Sequence, residues 1–454
     1  MQPRFNEKVL AGLGRGLATS GKLNEEGVEL AVASLVRFAA ITRAQKVDTL
    51  FAFATAAVRE ASDGRAFCDR VKREAGLSLR ILSGDDEARY AAQGVLAGSP
   101  GTDGIVGDLG GSSLELARLN GGKYDGGTSY PLGPLALDTG GSFNADKISS
   151  RVRKALSDSP ELKRTGDVFY AVGGAWRSIA TIHMELQRAP LHMLQNYEMG
   201  VPKLLTLLDE LMAGKKHGDL VQEVARRRSA TIPYAASVLA AVLDIGKFKS
   251  VMVSSYGVRE GIIFDNMDEA ERMEDPLEAG LDALVDDDDP SAEFGRALID
   301  WLAEAGAYTL PRRLCVAACR LVDIGALLHP DHRADLAFDL VARAPLPGLT
   351  HKDRAALALA VATRFKRGAR NDVSAALLDN ETAGKARALG SLMRLAADFS
   401  GRSASLLKHA RLKCDGATLE LKVSSQYRAL VSESVQKRLQ FAAEELGFDY
   451  SVTS

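Results

Sequence analysis

Apolar positions change period several times along this sequence. Residues 5–10 alternate as a strand does, and Gly12, Gly14 and Gly16 end that run. Asn24 then stands as an N-cap before a helix reaching about Thr42, with Val28, Ala31, Leu35 and Phe38 on one face. An apolar run of strand length covers 47–55. A helical pattern follows over 64–75, then a short strand over 79–82. The next helix begins at Asp85 and carries Glu87 and Arg89. Strands alternating with helices predict an α/β domain with a partly parallel sheet.

A second set of elements starts near Gly104. The pattern predicts a strand over 104–108, a tight turn at Gly110-Gly111-Ser112 and a returning strand over 113–118. A further segment, 123–132, follows the turn at Gly121-Gly122. After a helical stretch, a buried strand over 168–172 runs into Gly173-Gly174 and a helix from Trp176; another strand covers 251–254. Between Asp268 and Asp289 acidic residues and prolines accumulate, ending in Asp286-Asp287-Asp288-Asp289-Pro290. That composition reads as a solvated linker rather than a metal site. Beyond it the chain is helical and alanine-rich to about Ser400, alternates like strands over 411–423, and closes on a helix over 434–446.

Length and charge narrow this picture. A chain of 454 residues is too long for one core, so several domains are expected. With 57 basic and 59 acidic residues the net charge is −2, which selects neither nucleic acid nor membrane as a partner. Four cysteines are too few and scattered for a disulfide framework, which points to a reducing compartment, the cytoplasm. Cys315 and Cys319, at i,i+4 in an apolar run, read as core residues. No charged-then-apolar leader opens the chain, and no apolar run is expected to reach the ~20 residues of a membrane span.

The sharpest chemical signal is Asp108-Leu-Gly-Gly-Ser-Ser-Leu-Glu115. A carboxylate at the end of a buried strand is costly unless something receives it. Gly110 and Gly111 would let backbone N–H groups converge on an anion as a nest, and Ser112 and Ser113 add hydroxyls. The returning strand brings Glu115 back beside Asp108, so two carboxylates flank a phosphate-sized space. One could hold Mg²⁺ and the other could orient an attacking water; the motif is also that of a plain hairpin with incidental acids. Gly173-Gly174, between strand and helix, would aim helix N–H groups at an anion or serve tight packing. Arg177 lies one turn on. Ser83 and the acids up to Glu87 suit a helix N-terminus by dipole alone, or a catalytic acid beside Asp108. Arg59, after a strand, could face the same cleft.

In combination these segments resemble the exopolyphosphatase/guanosine pentaphosphate phosphohydrolase (Ppx/GppA) family of the actin-like ATPase superfamily. The matching stretches are 5–16, Ala54-Thr-Ala-Ala-Val-Arg59, Ser83-Gly-Asp-Asp-Glu-Ala-Arg89, 108–115, Ala171-Val-Gly-Gly-Ala-Trp-Arg177 and Val253-Ser-Ser-Tyr-Gly-Val-Arg-Glu-Gly261. By position, Glu87 resembles the family's water-activating glutamate, Asp108 its metal-associated aspartate and Glu115 the acid closing the phosphate loop. The resemblance implies two ribonuclease-H-like halves with mixed sheets around a cleft, Mg²⁺, homodimers, and stepwise release of terminal phosphate from inorganic polyphosphate. The implied divisions are 1–100 and 101–270 for the halves, 271–290 for the acidic linker, 291–400 for a degenerate HD-like helical domain, and 401–454 for a small α+β tail. In the HD-like part, Leu321-Val-Asp-Ile-Gly325 precedes His329 and His332, with Val322 where the motif's histidine would stand. Basic clusters at Arg364, Lys366, Arg367 and Arg370, and at Arg402, Lys408, Arg411 and Lys413, are either solvated surface or an extension of a polyanion track.

Two departures accompany the resemblance. The family opens with a strand–turn–strand phosphate loop, whereas this chain begins in what would be the third strand. About thirty residues are then expected to be absent, through a late-assigned start codon or, as the alternative, in an impaired product with an exposed sheet edge. The other departure is Ser112, which replaces a common third glycine and is tolerable if its φ is negative. The leading expectation is an exopolyphosphatase. Guanosine pentaphosphate phosphohydrolase is the alternative within the fold; an actin-like ATPase or sugar kinase and a non-catalytic phosphate or polyphosphate sensor are the alternatives of other functional classes.

Overall fold

The computed structural model describes residues 5–163, 166–285 and 290–454. They fall into two units, one ending at Met273 and one running from Glu274 to Ser454. The residues Met1 to Arg4, where the expected third strand would begin, and the acidic run Asp286 to Asp289 lie outside the described residues.

In the first unit Asn24 starts helix α1 (Glu25–Ala44) as the sequence suggests, its Oδ1 accepting the Gly27 N–H at 2.9 Å. Helix α2 (Gly64–Ala75) packs on it through Val32, Ala39, Phe67 and Val71. The strands expected at 5–10 and 47–55 are largely not realised. Only Phe53–Ala54 (β1) pairs, in parallel, with Arg80–Ile81 (β2). Alternation makes a segment able to join a sheet, but a strand exists only where a neighbour completes its hydrogen-bond ladder. An apolar groove of about 290 Å³ opens between Val9, Leu13, Phe38 and Phe53. Helix α3 (Gly84–Gly98) is capped by Ser83, whose Oγ accepts the Asp86 N–H while Asp86 Oδ2 accepts the Ser83 N–H, a capping box.

A six-stranded sheet follows, with β3 (Gly104–Leu109), β4 (Leu114–Asn120), β5 (Lys123–Tyr130), β6 (Val168–Val172), β7 (Tyr197–Gly200) and β8 (Ser250–Val253) in the order β5-β4-β3-β6-β8-β7. Its centre, β3-β6-β8, is parallel and its edges antiparallel. Ile105, Leu116, Phe169 and Val251 point from one face into a large core with helices α4 (Ala145–Leu156), α5 (Gly174–Gln187) and α6 (Ile232–Gly246). On the opposite face Val106, Ala117, Tyr170 and Val172 receive α3, beside which α7 (Val258–Asp265) lies. The expectation that no stretch is long and apolar enough to span a membrane does not hold. Gly218–Gly246 qualifies by length and composition, yet 61% of its most apolar window is buried in the protein, and α6 is a core helix.

The second unit packs the helices Pro290–Glu304, Arg312–Arg320, Arg333–Arg343, His351–Phe365 and Asn380–Ser400. A three-stranded sheet follows, β9 (Ala410–Asp415), β10 (Thr418–Val423) and β11 (Asp449–Thr453), with helix Glu433–Leu446 against it. Cys315 and Cys319 are core residues, as read from their spacing. Part of the expected solvated linker is instead a helix, Pro276–Asp282, because Leu277 and Leu281 find a core and Asp275 caps its start and pairs with Arg313. The HD-like motif is neutralised locally. The buried Asp323 carboxylate faces Arg364 at 3.4 Å and Arg402 at 3.6 Å, and among the described residues no group of three metal-ligating side chains forms.

Candidate active site

The register of the central sheet builds the site. Asp108 on β3 is directly opposite Glu115 on β4, and Glu115 is directly opposite Ser129 on β5. Directly paired residues project to the same face, so the three form one polar row across three strands, on the face that α3 covers. Ser129 Oγ donates to Glu115 Oε1 at 2.8 Å. Glu87, in the first turn of α3, comes down over this row. It is only 5% exposed, accepts from the Arg59 guanidinium, and has Ala56 N–H as a further donor. The other Arg59 bond runs to Leu82 O at 2.7 Å. Arg59 thus reaches the cleft, but as the partner that orients Glu87.

Like charge acts on all three: Asp108 raises Glu87, both raise Glu115, and Glu260 raises Asp108. Burial, with Glu87 and Asp108 adding like charge, pushes Glu115 up to about 8. Burial pushes Asp108 up to about 6 against the pull of Arg177. Glu87 is also raised, by burial first, although Arg59 opposes the shift. Carboxylates that resist ionisation would be relieved by a cation beside them, although among the described residues no three metal-ligating side chains, these acids included, form a group.

The loop joining β3 and β4 corrects one expectation. Gly110 and Gly111 were expected to form a nest, which needs a residue in the left-handed region. Neither has positive φ, and Gly110 N–H is already spent on Ser113 O at 2.9 Å. The loop is a hairpin turn whose two buried hydroxyls, Ser112 and Ser113, are its polar offering. Ser112 also lacks a positive φ, which is why serine is accepted there. A Cβ on Gly14 would come within 2.6 Å of Ser112 Oγ, so the glycine loop 12–16 lies directly on this turn.

Gly173 is the glycine whose conformation matters. Its φ of +105° leads from β6 into α5, and a Cβ there would lie 2.5 Å from Leu109 O and 3.1 Å from Asp108 Oδ1. Gly174 opens the first turn of α5, and a Cβ on it would collide with the Arg228 guanidinium at 2.7 Å. A guanidinium is therefore stacked on a helix N-terminus, two positive ends together. Arg177, bonded to Ser255 O at 3.0 Å, continues the same surface.

Around these residues lies a cavity of about 610 Å³ lined by Lys8, Arg177, Arg228 and Arg259, with Asn6 and Ser178 among its neutral groups. Among the described residues Lys8 and Arg228 pair with no carboxylate, while Arg259 bonds Asn6 Oδ1 at 3.2 Å and reaches Glu260 only at 3.8 Å. Burial and the three arginines lower Lys8 to about 8. Sequence reasoning missed Lys8, Arg228 and Arg259 as a group, because 220 residues separate Lys8 from Arg228. The run Arg226-Arg227-Arg228 was the visible signal. Ser129 carried no signal beyond its strand.

With this geometry in view, comparisons with known proteins agree. Residues 1–270 match the Ppx/GppA phosphatase family, and residues 292–451 match the C-terminal region of exopolyphosphatase. Exopolyphosphatase 1 of Mycobacterium leprae is 26% identical over 280 residues, covering 59% of this chain and 82% of that protein. A guanosine-5'-triphosphate,3'-diphosphate pyrophosphatase of Aliivibrio fischeri strain ES114 is 24% identical over 362 residues, covering 75% of this chain and 71% of that protein. The crystal structure of an exopolyphosphatase from Cytophaga hutchinsonii superposes with a TM-score of 0.52 at 23% identity, over 57% of this chain and 88% of that one, a likeness of fold. The fold, the row of acids and the matched stretch of more than half its length lead to one assignment: this chain belongs to the Ppx/GppA phosphatase family.

Proposed function

We propose that this protein hydrolyses the terminal phosphoanhydride bond of inorganic polyphosphate, releasing orthophosphate. One observation carries the reading: the carboxylates Glu87, Asp108 and Glu115 crowd together, Asp108 lies against Gly173, and the next residue, Gly174, lines a cavity walled by four cations. Glu87 is the water-activating base. Burial raises its proton affinity and Arg59 fixes its orientation, the combination a general base needs. Ser112, Ser113 and the N–H groups of Gly173 and Gly174 position the terminal phosphoryl group, and Arg177 draws in its charge. The water oxygen attacks phosphorus, Glu87 takes its proton, the bridging P–O bond breaks and the shortened chain leaves as the phosphate anion.

Asp108 and Glu115 fit Mg²⁺. The donors are hard oxygens held in one row, and Mg²⁺ is commonly bound by one or two carboxylates with waters and substrate phosphate supplying the rest. Bound there, the ion would neutralise charge developing on the phosphoryl oxygens. We extend the reading to two ribonuclease-H-like halves, 1–100 and 101–270, a metal-free HD-like domain over 291–400, an α+β tail over 401–454, and a homodimer in the cytoplasm. The four unpaired cysteines suit a reducing compartment.

Guanosine pentaphosphate is the second substrate considered, since a relative named for a guanosine polyphosphate matches the chain. The cavity favours polyphosphate, because among the described residues no aromatic ring lines it on which a base could stack. Orthophosphate release from polyphosphate, guanosine pentaphosphate and ATP, each with Mg²⁺, tests the choice. Glu87→Gln should lower polyphosphate turnover by about 10³-fold while substrate binding and the circular dichroism spectrum persist. A variant turning over at the parental rate removes Glu87 as the base.

A further inference from the structure

Ser129 is a small residue on β5, an edge strand softened by Gly126 and Gly127 and by a register shift against β4. Such a strand would ordinarily be mobile, yet this part of it is held from three sides. Its Oγ reaches Glu115 Oε1 at 2.8 Å. Its Cβ lies under Gly84, the first residue of the helix bearing Glu87; a Cβ on Gly84 would approach it to 2.6 Å. Its neighbours Thr128 and Tyr130 point to the other face, where the buried Glu161 accepts from Thr128 Oγ1 at 2.7 Å and from Tyr130 Oη at 3.3 Å. Ser159 Oγ braces the same carboxylate at 2.7 Å.

Glu161 thus clamps the residues on either side of Ser129, and nothing in the hydrolytic scheme uses Glu161 itself. A buried carboxylate whose partners among the described residues are hydroxyls is expensive to keep. Its effect is to fix the height and register of the one residue between its two strand partners. Glu115, in turn, is held by two hydroxyls, Ser129 Oγ on Oε1 at 2.8 Å and Ser113 from the turn, and it sits directly opposite Asp108.

We propose that Ser129 is a positioning residue for Glu115, holding one carboxylate oxygen so that the other faces the Mg²⁺ and phosphoryl position; the inference rests on the functional reading above. Ser129 touches no substrate in this scheme and acts through Glu115 alone.

The test uses the full chain and its Ser129→Ala variant, titrated with Mg²⁺ and followed by thermal shift, beside steady-state kinetics on polyphosphate. The half-saturating Mg²⁺ concentration should rise about tenfold, the scale on which loss of a hydrogen bond to a metal ligand acts. kcat should fall by a similar factor, with KM for polyphosphate and the Mg²⁺-free melting temperature unchanged. A parental Mg²⁺ curve in the variant overturns the proposal. So does a lowered Mg²⁺-free melting temperature with Mg²⁺ affinity intact, which would make Ser129 merely structural. Should Ser129→Ala not fold, Ser129→Cys keeps the shape, weakens the donor and is expected to shift the curve the same way. The parent protein serves as the control on the underlying reading. If it shows neither Mg²⁺-dependent stabilisation nor orthophosphate release, the functional reading fails; if it shows both and Ser129→Ala matches it, only the role of Ser129 fails.

Discussion

Lys8 shows how little a single residue's type reveals about its charge. An exposed lysine holds its proton to well above pH 10, whereas here burial and Arg228, Arg177 and Arg259 bring the value to about 8. Between that value and the ordinary one the unfolded chain binds a proton that the folded protein has released. The strain of the charged lysine is therefore fully present below about pH 8 and is relieved as pH rises. Anion binding runs the other way, since a bound phosphate pairs with the protonated amine. Tripolyphosphate affinity, measured by calorimetry, should weaken about tenfold from pH 7 to pH 9. In Lys8→Met that slope should flatten and affinity at pH 7 should drop to near the parental value at pH 9. A slope unchanged by the substitution would place the titrating group elsewhere.

Among elements, the pairing of α3 with α7 governs the site. The two helices carry Glu87 and Arg259, and they touch through glycines: a Cβ on Gly261 would lie 1.8 Å from Tyr90 O, and one on Gly94 would lie 2.3 Å from Gly257 O. Arg89 and Asp265 join them at 2.8 Å. Gly261→Ala should cost about 3 kcal/mol in urea unfolding, since backbone on both sides must yield, and should lower kcat by displacing Glu87. The sequence pattern announces both helices poorly at this point, because nothing local marks Gly94 and Gly261 as partners. What it does announce is local. Asn24 and Ser83 appear as caps, the strand 168–172 appears with its true bounds, and the pairing of Asp108 with Glu115 follows from a short turn between two apolar runs. The strands at 5–10 and 47–55 misread because pairing is decided by distant chain. The nest at Gly110-Gly111 misread because glycine permits a positive φ without requiring it. Beyond the run Arg226-Arg227-Arg228, the basic cavity left no sign in the sequence for a third reason: its cations come from four separate segments and share no spacing.

Taken whole, the protein carries a net charge of −2, so its attraction for a polyanion cannot come from the molecule's overall field. On the proposed reading it comes from the cavity of Lys8, Arg177, Arg228 and Arg259, and attraction between such charges is screened by salt. KM for polyphosphate should rise on the order of tenfold between about 50 and about 200 mM salt, with kcat changing little. A KM indifferent to ionic strength would argue that the four cations do not contact substrate.

The cavity has one further consequence. Lys8, Arg177, Arg228 and Arg259 offer charge with no ring beside them among the described residues, so each repeating unit of a polyphosphate chain would look alike to them. When the proposed reaction removes the end unit, the remaining chain can advance by one notch and exchange every contact for an equivalent one, with almost no change in grip. On the proposed reading such a surface would act as a rail rather than a lock: it would set how firmly the chain is held, while the carboxylate row would decide where the chain is cut.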